Sequence, residues 1–221
     1  LAKVVAHDVV VRFITIPEGL SSFQIADLIA AADGLTGDFS RTFKDGTLLP
    51  ETYGYERGES RAALVRRMEM ALDRTLADLW AGRAPDLPID SPKDALILAS
   101  IVEKETSVAD ERPRVAAVFV NRLKRRMRLQ SDPTVAYGVD PSGPLRRPLR
   151  RSDLDGDTPY NTYKISGLPP GPICHPGRDS IAAVLNPASI RDLYFVADGS
   201  GGHAFAETLA AHNRNVAQWR R

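Results

Sequence analysis

One stretch constrains this chain more than any other: Ser91 to Thr106, read SPKDALILASIVEKET. Its start is marked three ways. Ser91 can cap the free N–H groups of a first helical turn, Pro92 suits the first helical position, and Asp94 gives a capping-box-like spacing. At about 100° per residue, Ile97, Leu98, Ile101 and Val102 share one face. The next residue on that face is Glu105, whereas Glu103 falls on the other side with Leu96, Ala99 and Ser100. The pattern therefore predicts a helix that ends by placing one carboxyl on its core-facing side. Burial favours the neutral acid and raises its pKa unless a cation stands beside it. A carboxyl still protonated near neutral pH is what general-acid catalysis needs. The plainer alternative is a helix-end glutamate that bends out to solvent or pairs with Arg112 or Arg114, since structural pairs also perturb carboxylates.

The 221 residues allow one medium domain, or a domain with a small module. A net charge of +1 gives no general attraction to polyanions. Cys174 is the single cysteine, so an intrachain disulfide is excluded. No run of about 20 apolar residues is present to span a bilayer. The chain begins at Leu1, mid-pattern and without methionine, and reads as a fragment.

Along the chain, Val9 to Ile16 is β-branched and alternating, which predicts a strand. A Pro17-Glu18-Gly19 turn follows, and Ser21 caps a helix that Asp33-Gly34 stops. Leu48 to Tyr53 reads as a short extended piece. Helices are expected from about Ser60 to Trp80 and from about Glu111 to Arg126. Leu129 to Thr134 is polar and turn-prone. Residues 140 to 180, rich in proline and glycine, should run over the surface or line a cleft. Asp179 to Leu185 reads as a helix, Leu193 to Val196 and His203 to Phe205 as strands about a glycine turn, and Leu209 to Trp219 as a closing helix. The fold class is α+β: a mainly helical domain with short strands over 46–221, preceded by a small strand–helix module over 1–45.

Two basic runs, Arg122 to Arg128 and Arg146 to Arg151, could grip phosphates. The near-neutral total favours a solvated helix face and loop instead, so no nucleic-acid partner is expected. His7, His175, His203 and His212 lack metal-ligand spacing, and no metal site is expected. No nucleophile-elbow pattern accompanies the serines and histidines. What remains is one core-side carboxyl and a loop region rich in amides and hydroxyls: Gln130, Ser131, Asp132, Tyr160, Asn161 and Thr162. Neutral hydrogen-bonding groups beside aromatic rings suit an uncharged sugar chain. Asp132, just before Pro133, reads as a turn cap more than as a second catalytic carboxylate.

LASIVEKET (98–106), VFVNRLKRRMRLQSDPTVAYG (118–138), YNTYKISGLPPGPI (160–173) and YFVADGSGGHAF (194–205) resemble the YceG-like endolytic murein transglycosylases. LLPETY (48–53) and the IPEG turn (16–19) resemble the segment before that family's catalytic core. The resemblance implies cleavage of the MurNAc–GlcNAc bond of peptidoglycan, with the muramyl C6 hydroxyl attacking its own anomeric carbon to leave a 1,6-anhydro end. It implies Glu105 as the single general acid/base and Glu103 as the runner-up. Gln130, Asp132, Tyr160, Asn161 and Tyr163 are implied as substrate-binding residues, and no cofactor is implied. It further implies an enzyme outside the cytoplasmic membrane in the bacterial envelope, held by an N-terminal anchor this chain lacks. Cell-wall synthases are candidate partners. Residues 1–45 would be a remnant of the family's LysM-like region. The rival from another class is a peptidoglycan-binding module without catalysis.

Overall fold

The computed structural model describes residues 10–219; His7 and Val9, the first residue of the predicted strand, lie outside them. Strand β1 (Val11–Thr15) pairs antiparallel with β2 (Thr52–Glu56), with Phe13 opposite Gly54 and Ile14 opposite Tyr53. Between them runs α1 (Ser22–Ala31), closed at its start by a reciprocal cap: Ser21 Oγ accepts from the Gln24 N–H, and Gln24 accepts from the Ser21 N–H. Helix α2 (Arg61–Ala81), capped by Ser60, serves two cores. Its Leu64 and Met68 pack with Ile16, Ile25, Ile29 and Leu48 against the first sheet, and its Leu72 belongs to the larger core beyond.

The larger core is built around α3 (Pro92–Glu105), which Ser91 caps at the Asp94 N–H. Around it lie α2, α4 (Arg112–Lys124), α5 (Asp132–Val139) and α7 (Arg178–Leu185). A short α6 (Arg151–Leu154) lies between α5 and α7. The expected apolar stripe turns out to be a whole circumference: every residue from Ala95 to Val102 is buried. A helix apolar all round is an interior helix. Its one polar interior residue is satisfied, for Ser100 Oγ donates to the Ile97 carbonyl and accepts from the Ile173 N–H.

Two further expectations change here. The proline-rich segment does not stay on the surface: residues 173–177 are all buried beside α3. The backbone there finds partners, with His175 N–H donating to the Leu20 carbonyl, Gly19 N–H to the His175 carbonyl, and Gly177 N–H to Glu103. Gly177 also lies so close to Glu18 that any side chain would displace that carboxylate. The polar stretch after Leu129 opens helix α5. Pro133 sits in the first turn, where its missing N–H costs nothing, so the turn-prone reading of Leu129 to Thr134 gives way to a helix start. The chain closes with the hairpin β3 (Tyr194–Ala197) and β4 (His203–Ala206), then α8 (Leu209–Trp219). No described helix is long and apolar enough to cross a membrane.

Candidate active site

The last residue of α3 is Glu105, and its carboxyl sits in a pocket of about 180 Å³. Phe119 and Arg122 reach it from α4, Leu129, Gln130 and Asp132 from the turn into α5, Tyr163 from the following loop, and Phe195 from β3. Ser131 Oγ donates to Glu105 Oε1 at 2.6 Å. Burial pushes the Glu105 pKa up to about 7; the Ser131 bond pulls it down, the nearby Asp132 charge pushes it further up, and His203 and Arg122 pull it down. A carboxyl balanced at that value can give a proton in one step and take one in the next.

Glu103, the runner-up, is placed differently. Its side chain, on the helix side of Leu96, Ala99 and Ser100, is only 7% exposed because the proline-rich segment packs over it. It accepts from the Gly177 N–H at 2.9 Å and faces Arg112 at 3.8 Å. The ion pair considered above for a helix-end glutamate therefore belongs to Glu103, and Glu105 is left with the pocket.

Three of the five expected substrate-binding residues meet Glu105 there: Gln130, Asp132 and Tyr163. Gln130 has φ +50, a left-handed conformation uncommon for a non-glycine residue, and its N–H donates to the Thr162 carbonyl at 3.2 Å. Asp132 is not a turn cap. Ser131 occupies the cap position, and Asp132 Oδ1 accepts from Tyr163 OH at 2.6 Å, so a second carboxylate does stand in the pocket. Tyr160 lies elsewhere, 4.7 Å from Tyr137 between ring centres, in a separate groove with Phe43 and Pro172. Asn161 is fully buried. Its Nδ2 donates to the Leu154 and Gly156 carbonyls and its Oδ1 accepts from the Tyr163 N–H, so it shapes the loop that carries Tyr163.

A family model for the YceG-like family matches residues 1–218. This chain belongs to the YceG-like family. It is 34% identical over 186 residues to an endolytic murein transglycosylase of Bacillus subtilis (strain 168), covering 82% of this chain and 51% of that relative. It is likewise 34% identical over 181 residues to one of Streptococcus pneumoniae (strain D39), covering 79% of this chain and 32% of that relative. The chain thus spans about half of one relative and a third of the other. The 2.6 Å crystal structure of a YceG-like protein from Listeria monocytogenes superimposes with a TM-score of 0.74 at 31% identity, covering 96% of this chain and 79% of that one.

Several residues of this YceG-like pocket escaped the sequence reading. In the sequence Ser131 is one loop hydroxyl among several, and its bond to Glu105 is a contact across 26 positions. Arg122 opens the basic run for which the sequence predicts a solvated face. It is in fact buried, with Nε donating to the Leu193 carbonyl at 2.7 Å and Nη1 to the Leu129 carbonyl at 2.6 Å. Its position on α4 could have hinted at this, since Val115, Val118, Phe119 and Arg122 recur at helical spacing. His203 packs edge-on against Phe195 and bonds Glu111 through Nδ1 at 2.7 Å. That pair fixes the β3–β4 hairpin beside the pocket, and no local sequence signal joins positions 111 and 203.

Proposed function

We propose that this chain cleaves peptidoglycan glycan strands between N-acetylmuramic acid and N-acetylglucosamine as an endolytic lytic transglycosylase, with Glu105 as its general acid/base. The observation that carries the reading is the Glu105 carboxyl, set in a small pocket with a pKa of about 7 and held by Ser131. The relatives that bear the transglycosylase name supply the substrate. Protonated Glu105 gives its proton to the bridging oxygen as the bond from the muramyl anomeric carbon breaks. The muramyl C6 hydroxyl closes on that carbon, and the Glu105 carboxylate takes the hydroxyl proton. One carboxyl is regenerated each turnover, and the 1,6-anhydro end needs no water. Delivery of the nucleophile from within the substrate makes the step intramolecular, which can supply several kcal/mol of the barrier. The envelope location, an N-terminal membrane anchor and the cell-wall synthase partners belong to the same proposal.

The Asp132 carboxylate favours a second reading. It could activate water against the same anomeric carbon, which is how paired-carboxylate glycosidases work. That would be hydrolysis, with a reducing muramyl end.

The assignment is tested by digesting purified glycan strands with Glu105→Gln and Glu103→Gln proteins. The amide keeps the shape of Glu105 and cannot shuttle a proton, so Glu105→Gln should lose activity by about 10²-fold or more. Glu103→Gln should still cut. The reverse pattern would transfer the role to Glu103. A parent protein that retains strands and releases nothing would point to the binding module instead.

A further inference from the structure

A second pocket, of about 330 Å³, shares Asp132 with the first and is used by nothing in the reaction just described. It lies along α5. Asp132 and Ala136 are four residues apart on one helix face, so Ala136 stands one turn, about 5.4 Å, beyond Asp132. Its walls are mainly apolar, with Pro133 and Ala136 from α5, Leu145 and Leu149 from the following loop, and Ile173 from the segment beside α3; of its polar members, Ser21 Oγ already donates to the Ser142 carbonyl and Tyr137 OH to Asp45, while Gln24 adds an amide. Lys104, the neighbour of Glu105 in sequence, stands at its mouth. Lys104 is exposed; its Nζ donates to the Gly19 carbonyl at 3.2 Å and pairs with no carboxylate among the described residues. Arg147, on the same wall, is already neutralised by two bonds to Asp153.

With the Ser21 and Tyr137 hydroxyls already committed and most of the lining apolar, few groups remain to bind the hydroxyls of a sugar ring. Small apolar walls and one unpaired cation suit a short peptide with alanine-like methyl groups and free carboxylates. A volume of this size falls at the lower end of ligand pockets. We propose that this pocket holds the short acidic peptide carried by the muramyl residue, so that a strand is bound through its peptide as well as its sugars. The proposal rests on peptidoglycan being the substrate. In that polymer the peptide leaves the muramyl ring through a lactyl group at C3, two ring atoms from the anomeric carbon. A peptide pocket that shares Asp132 with the pocket of the acid is where such a branch would fall.

The test is a titration of the chain with N-acetylmuramyl-L-alanyl-D-glutamate and with N-acetylmuramic acid, followed by calorimetry. The peptide-bearing ligand should bind about tenfold tighter than the sugar acid. Ala136→Trp, which fills the pocket, should bring that ratio close to one. Lys104→Ala, an exposed change that decides the matter if the tryptophan variant does not fold, should lower it about threefold, as expected for one charge pair at a solvated rim. Equal binding of the two ligands by the parent protein would overturn the proposal. So would a parallel loss of both ligands in Ala136→Trp, which would make the pocket a sugar subsite. Neither ligand contains the bond to be cut, so this result is independent of whether the chain cleaves glycan, which the Glu105→Gln digestion measures.

Discussion

Glu105 carries an ordinary carboxyl into a place where its charge is costly. Folding raises its pKa to about 7, chiefly through burial. Between its ordinary value and 7, the native protein therefore holds a proton that the unfolded chain has released. The stability from this group is present at low pH and is lost as the pH rises through about 7. The cost of the ionised form is on the order of 2 kcal/mol once water at the pocket mouth is allowed for. Glu105→Gln should remove that cost. Its melting temperature should exceed the parent's by about 5 °C at pH 8 and match it at pH 4, by calorimetry. A variant less stable than the parent at pH 8 would mean that the carboxylate is welcomed by the pocket. Ser131 acts in the opposite sense, since its hydroxyl donates to the charged form. Ser131→Ala should move the alkaline limb of the pH–rate profile upward by about one unit. An unmoved limb would show that another group titrates there.

At the scale of elements, the parts that were plain in the sequence are those whose signals are local. Ser21, Ser60 and Ser91 each cap the helix they were expected to cap or precede. Ser91→Ala should cost about 1 kcal/mol and lower the melting temperature by about 3 °C, with kcat/KM retained, because the buried circumference of α3 still seats Glu105. A large loss of activity with stability intact would instead tie the cap to the position of the acid. The misread parts depend on partners far along the chain. Helix α5 spans only eight residues, carries a proline and a glycine, and buries the adjacent Thr134 and Val135 rather than a spaced apolar stripe, so periodicity could not reveal it. Arg122 looked like one more surface cation until the Leu193 and Leu129 carbonyls were found to receive it. Asn161 looked like a cleft amide, but its three bonds are spent on its own loop.

On the scale of the whole molecule, a buried polar junction joins the first sheet region to the larger core. Asp45 accepts from the Ser22 N–H and hydroxyl and from Tyr137 OH, and His175 Nε2 lies 3.0 Å from Ser22 Oγ. The candidate site is assembled in the same way, from α3, α4, the turn into α5, the Tyr163 loop and β3. Helical periodicity alone could bring Glu105 to the core side. Gathering Gln130, Asp132 and Tyr163 around it took the resemblance, because no spacing rule links positions 105, 130 and 163. The same assembly places two carboxyls, Glu105 and Asp132, where one was expected, and the chemistry turns on which of them meets the nucleophile. Digestion of long, peptide-bearing glycan strands in oxygen-18 water, with mass analysis of the new muramyl ends, decides this directly. The account predicts unlabelled 1,6-anhydro ends released from within strands. Reducing muramyl ends carrying oxygen-18 would contradict it and make the reaction a hydrolysis served by Asp132.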